Sequence, residues 1–316
     1  MEHQNYEIEN KKIKERFIEL KKKDPKKLKN KLKISWSNWG FGMEQFEISI
    51  KRLKKNNINY VELHGNKYGN DLGYDSKKVA KLLLKYDMKV SGVCGMFSEE
   101  SELSSNSPSV RQRAIDYIKR NLELAKELDA KYFLIVPGAV GRPDPYDDIE
   151  FSRSVETLSI VADNFKQSGI RGAIEPIRSD EVSFCNTFED AKKYIKALGN
   201  MGVQHINGDV YHMIHMESHI GRSIVDAGSM LTNLHMADTN RDALGEGFLD
   251  LDTIIMALYI IGYNNDKSCF ITPEPLGPGG DPYRARYGKP DSGRLNSLVK
   301  RTVSYLWQRE GEVLSL

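Results

Sequence analysis

Four apolar, β-prone runs each deliver one carboxylate or imidazole and then break into a loop. They are Ala173-Ile174-Glu175-Pro176, Ile206-Asn207-Gly208-Asp209, Leu234-His235-Met236-Ala237 and Phe270-Ile271-Thr272-Pro273-Glu274-Pro275. If these runs are neighbouring strands of one parallel barrel, Glu175, Asp209, His235 and Glu274 converge on a single point. Three bare carboxylates there would repel one another unless a cation sat among them. The mixed oxygen and nitrogen set suits Mn2+, with Mg2+, Co2+ or Fe2+ as substitutes. Zinc is less natural with three carboxylates and no cysteine. A lone acid at a strand end is more often a helix cap or a surface group, but four in four consecutive units argue for a shared centre.

The elements that must position these groups alternate regularly. Strand-like stretches occupy Leu32–Trp36, Tyr60–Leu63, Lys89–Val93, Tyr132–Val136, Arg171–Ile177, Gln204–Asp209, Leu231–Met236 and Ser268–Glu274. Helical patterns fall between them, near 44–56, 75–87, 109–129, 148–168, 187–198, 222–229 and 250–262, with a last one over about 292–309. Parallel strands need crossover helices, so the alternation predicts a parallel sheet, and eight units predict an α/β fold closed as a (β/α)8 TIM barrel. An open doubly wound sheet would want a Gly-x-Gly-x-x-Gly turn after the first strand, and Trp36-Ser37-Asn38-Trp39-Gly40-Phe41-Gly42 does not supply it. Thr187 before Phe188-Glu189-Asp190 reads as a capped helix start, and Gly169 and Gly262 read as left-handed helix ends.

The division expected is a basic helical arm over 1–31 and a barrel over 32–316. Residues 1–33 carry 12 Lys and Arg against 6 Asp and Glu, so the remaining 283 residues are net −4 although the chain totals +2. A body of that charge is no nucleic-acid binder. In the arm, Ile13, Phe17 and Leu20 form one apolar stripe, with the barrel floor or another subunit as its alternative partners. No apolar run approaches the roughly 20 residues that span a bilayer, and no apolar signal core opens the chain. Three widely spaced cysteines without a Cys-x-x-Cys pair fit a reducing, cytoplasmic setting.

Glu175-Pro-Ile, Asp209-Val-Tyr-His212-Met, His235-x-Ala-Asp-x-x-Arg241 and Pro-Glu274-Pro resemble the signature segments of the sugar isomerase/epimerase family, the xylose-isomerase-like barrels, and most closely its ketose 3-epimerases. The resemblance spans roughly residues 32–305. It implies that Glu175, Asp209, His235 and Glu274 ligate the metal. It also implies that Glu181, His212 and Arg241 bind the sugar, and that Glu175 and Glu274 move a proton on either face of it. His212 would be a donor or proton shuttle, or else a histidine hydrogen-bonded below the metal. His64, which ends the second strand, is either a substrate contact or a packing residue.

Departures from the epimerase pattern are Arg178-Ser179 after Glu-Pro-Ile, and Ala237-Asp238 after the metal histidine. A long Gly- and Pro-rich segment, Pro275 to Asp291, reads as a lid or a partner surface. With the basic arm, these features resemble the catalytic subunit of bacterial C-glycoside deglycosidases. The implied reaction there is β-elimination of the carbon-linked aglycone from a 3-oxo C-glycoside, alongside a small β-rich partner subunit. Trp36, Trp39, Phe41 and Phe97 would then stack on an aromatic aglycone, line a sugar site or pack as core, the last fitting Trp36 best. The departures favour the lyase, whereas Glu181 and Arg241 favour a ketose or inosose 3-epimerase. Two other classes fit worse. Metal-dependent endonucleases of the superfamily need more histidines and a basic groove, and a non-catalytic scaffold would have no use for buried carboxylates.

Overall fold

Strands of four to seven residues, buried along nearly their whole length, build the barrel wall, as expected when helices cover the outside of a parallel sheet. The computed structural model describes residues 5–65, 74–276 and 290–316. Seven parallel strands pair in chain order: β1 (Tyr60–His64), β2 (Lys89–Cys94), β3 (Tyr132–Ile135), β4 (Arg171–Ile174), β5 (Val203–Asp209), β6 (Leu231–Met236) and β7 (Phe270–Pro273). Residues 32–37 supply the eighth stave. Ser35 N–H donates to the Ile271 carbonyl at 2.8 Å, Ile271 N–H to Lys33 at 2.9 Å, and Glu62 N–H to Trp36 at 2.9 Å. The stave thus bridges β7 and β1 and closes the ring, but its contacts are isolated bridges rather than a continuous ladder.

The crossovers are α2 (Phe46–Lys55), α3 (Ser76–Lys85), α4 (Pro108–Glu127), α5 (Glu150–Ser168), α6 (Phe188–Leu198), α7 (Val210–Met216), α8 (Ile220–Ala227) and α9 (Leu251–Ile260), with α10 (Ser292–Ser315) last. Thr187 forms a reciprocal capping box with Asp190, and Gly169 and Gly262 take left-handed φ values of 70° and 73°. One helix differs from expectation: α7 starts directly after β5, because the Asp209 side chain caps it by accepting the Tyr211 N–H at 2.8 Å.

The basic arm holds α1 (Asn5–Lys23), followed by a short 3-10 turn at Pro25–Leu28. Its stripe lies on the flank of its own barrel, against α8 and α9. Ile13 and Phe17 are buried, and the Phe17 ring meets Tyr259 edge-on at 6.2 Å. The approach depends on Gly221, where a Cβ would come within 2.8 Å of Ile13 Cδ1. Phe17→Ala should therefore cost about 3–5 kcal/mol in urea unfolding. A loss below about 1 kcal/mol would mean that the arm does not pack this way in solution.

The glycine-rich segment read as a lid or partner surface lies, over residues 277–289, outside the described residues. Among the described residues no helix is long and apolar enough to cross a membrane, and Cys94, Cys185 and Cys269 are all unpaired and buried.

Candidate active site

The C-terminal ends of β4 to β7 bring the four strand-end residues together at the mouth of the barrel. Glu175 follows β4, Asp209 ends β5, His235 lies in β6 and Glu274 follows β7, and all four are buried. Ligand atoms of Glu175, Asp209 and His235 lie within 4.8 Å of one another, and so do those of Glu62, Cys94, His235 and Glu274. The imidazole belongs to both sets: its Nδ1 is 3.5 Å from Glu175 Oε1 and 3.7 Å from Glu274 Oε1. Glu175 and Glu274 thus approach the same ring nitrogen from strands three staves apart.

Charge in this cluster is not balanced by the protein. Burial pushes the carboxyl groups of Glu175 and Glu274 up, the latter to about 8. Burial pulls His235 down, but Glu274 and Glu62 outweigh it and hold the imidazole well above the usual histidine value. Such a cluster draws in positive charge, either as a proton on the ring or as a divalent cation. An orphaned atom favours the cation: Glu274 Oε1 is buried with no hydrogen-bond partner among the described residues. Buried polar atoms are normally satisfied, and hard oxygen donors beside one imidazole fit Mn2+ or a similar ion. The residues present therefore fit a divalent cation.

His212 sits one helical turn after Asp209, its Nε2 3.4 Å from Asp209 Oδ2. Asp209 is both the cap of α7 and a member of the cluster, so the commonplace reading of a strand-end acid and the chemical one hold together here. His215 is exposed, with Nδ1 3.1 Å from the Tyr211 carbonyl oxygen. His219 caps α8 and contacts Asn10 of the arm. His64 is buried at the end of β1, its ring 5.7 Å from Tyr74.

At the rim, Arg241 lies over Trp39 at 5.6 Å and over Tyr211 at 4.5 Å, and Arg178 lies over Tyr211 at 4.8 Å. Arg178 Nε donates to Glu181 Oε1 at 2.6 Å and Nη1 to the Tyr211 hydroxyl at 3.1 Å. The residue that departs from the epimerase pattern therefore engages Glu181 directly. The other departure, Asp238, organises the loop after β6: its carboxylate accepts the backbone N–H groups of Thr239, Gly245 and Leu249. That loop holds Arg241 at a left-handed φ of 63°, uncommon for a side chain of this size. Of the aromatic residues considered for stacking, Trp36 packs on Phe41 at 6.1 Å, and Phe97 packs on Tyr117 at 5.4 Å, as core.

Sequence reasoning missed Glu62 and Cys94. The signal for Glu62 was there: it stands two residues before His64 in Val61-Glu62-Leu63-His64, so strand alternation gives both the same face. A charged residue inside an apolar strand needs a partner, and here the partner is His235.

Residues 50–285 match the model of the xylose isomerase-like TIM barrel family. The chain is 26% identical to the ketose 3-epimerase of Arthrobacter globiformis over 71% of its own length and 76% of that protein's. It is 24% identical to the 3-dehydro-D-guloside 4-epimerase of Escherichia coli, covering 73% of this chain and 89% of that one. The solved structure of an L-ribulose 3-epimerase superposes with a TM-score of 0.77 at 18% identity, covering 90% of this chain and 96% of that chain, a likeness of fold. With a family match over most of its length and a closed ring of parallel staves behind it, the chain belongs to the xylose isomerase-like TIM barrel family.

Proposed function

We propose that this chain is a metal-dependent sugar epimerase that inverts the carbon next to the carbonyl of a ketose or ketose-like sugar. The observation that carries this reading is the pair Glu175 and Glu274, two buried carboxyl groups that reach one imidazole nitrogen from different strands. Epimerisation asks for one group that removes the proton from one face and another that returns a proton to the opposite face.

In this reading Glu175, Asp209, His235 and Glu274 hold the ion, most naturally Mn2+, with Mg2+ or Co2+ as substitutes. A bound divalent ion would stabilise the negative charge that builds on the carbonyl and neighbouring hydroxyl oxygens as the proton leaves. Arg241, braced by Trp39 and Tyr211, offers a fixed fork of donors to a sugar oxygen. Buried His212 is a donor to a hydroxyl of the same substrate, and Glu181, held by Arg178, accepts from another. His64 closes the sugar site from the β1 side. The three unpaired cysteines suit a cytoplasmic enzyme.

The C–C lyase favoured by the sequence features gives way here. Its support lay in the arm, the altered neighbours and the loop after β7. The apolar stripe of the arm packs on α8 and α9, and the altered neighbours Arg178 and Asp238 brace the rim, so each has a structural role that does not call for a lyase. The relatives reported above are named as epimerases.

The deciding assay incubates the chain, loaded with Mn2+, in D2O with a panel of ketohexoses and ketopentoses, a 3-oxo O-glycoside and a 3-oxo C-glycoside. Deuterium should enter at the epimerised carbon and the epimer should accumulate. Release of aglycone from the C-glycoside, with no epimer from any other substrate, would restore the lyase and overturn the epimerase.

A further inference from the structure

Glu62 has no exposed surface and stands in β1 directly beside the metal-ligand cluster. A buried carboxylate is costly unless donors fill its oxygens. Three do so here. The Tyr132 hydroxyl donates to Oε2 at 2.6 Å, Asn233 Nδ2 to the same oxygen at 3.3 Å, and His235 Nε2 lies 2.9 and 3.0 Å from the two oxygens. Tyr132 reaches it across Gly92, where a Cβ would come within 2.3 Å of the ring.

The amides around the ring fix the direction of each bond. Thr272 Oγ1 donates to Asn233 Oδ1 at 2.6 Å, so Asn233 Nδ2 must be the donor that faces Asn207 Oδ1 at 2.7 Å. Asn207 Nδ2 in turn donates to Glu175 Oε1 at 2.8 Å and lies 3.5 Å from His235 Nδ1. At Nε2 the imidazole meets the two Glu62 oxygens, which only accept, at 2.9 and 3.0 Å; at Nδ1 the nearest groups, the Asn207 amide, Glu175 Oε1 and Glu274 Oε1, stand farther off at 3.5, 3.5 and 3.7 Å. A neutral ring between those neighbours carries its proton on Nε2 and its lone pair on Nδ1.

We propose that Glu62 is a positioning residue that holds His235 in the Nε2–H tautomer, so that Nδ1 is presented to the metal between Glu175 and Glu274. This inference rests on the reading of the centre as a divalent-cation site. Partners of this kind fix the ring of a ligating histidine, and losing them costs about 10- to 100-fold in metal affinity.

The test titrates Mn2+ into the metal-free full chain by isothermal calorimetry, with metal-free thermal melts alongside. In Glu62→Gln the amide can donate to Nε2 and drive the proton to Nδ1, so the Mn2+ Kd should rise about 10- to 100-fold while the metal-free melting temperature changes little. Tyr132→Phe keeps the charge of Glu62 and removes only its anchor. It should weaken Mn2+ binding by a smaller factor, and it separates positioning from loss of charge. If Glu62→Gln does not fold, the wild-type chain loaded with diamagnetic Mg2+ decides by 15N NMR: a protonated Nε2 and unprotonated Nδ1 on His235 support the proposal, and the reverse overturns it. Unchanged Mn2+ affinity in a folded Glu62→Gln overturns the role of Glu62 alone. A wild-type chain that takes up no Mn2+ overturns the metal reading and the role of Glu62 with it.

Discussion

Glu274→Gln is expected to lower the rate of ketose epimerisation roughly a thousandfold or more, with circular dichroism and the unfolding midpoint close to those of the parent. Glutamine has the shape of glutamate but can neither take the proton nor return it, and it removes one anionic donor from the centre. Glu274 Oε1 has no hydrogen-bond partner among the described residues, so the substitution breaks no network on that side. Glu175→Gln should be equally damaging to turnover, although there the amide would also disturb the bond from Asn207. The comparison is made on kcat by NMR of the C3 proton. Retention of more than about a tenth of the parent rate in either variant would remove that residue from the proton-transfer pair.

Stripping divalent cations from the protein should take activity to background, and adding back Mn2+ should restore it. The mixed oxygen and nitrogen donors and the unshielded carboxylates favour a bound cation. The same cation should stabilise the fold. At a hundred times its Kd, a ligand that binds only the native state adds about 2.7 kcal/mol. A melting temperature that rises with Mn2+ concentration, together with recovery of turnover, is the expected result. Full activity after exhaustive chelation would end the metal reading.

The barrel and the four strand-end residues were legible from sequence because both follow from local patterns. Alternating strands and helices force a parallel sheet, and a parallel sheet aligns the ends of its strands. That argument reached Glu175, Asp209, His235 and Glu274, which are the residues brought together. It did not reach Glu62, because one charge inside an apolar strand reveals a buried partner only when the opposite wall of the barrel is known. It missed α7 for a different reason: a helix of 7 residues is too short to show a helical period, and its start is set by the Asp209 side chain that caps it. The stripe on the arm was visible, but its docking surface depends on a close approach at Gly221 that no periodicity announces. The preference for a lyase came from peripheral features, which bear on substrate choice and assembly more than on the reaction at the centre.

The rim stack has a bearing on attempts to redirect substrate choice. Trp39, Arg241, Tyr211 and Arg178 lean on one another in sequence, and Arg178 also engages Glu181. These five side chains come from the loops after three different staves and from the first turn of α7, so no one of them can be exchanged in isolation. Exchanging Arg178 for asparagine would leave Tyr211 without one of its two cations and Glu181 without its counter-ion at a single stroke. Under the proposed function, selectivity is an epistatic trait of the whole stack, and libraries that vary these positions together should search it better than a series of point exchanges.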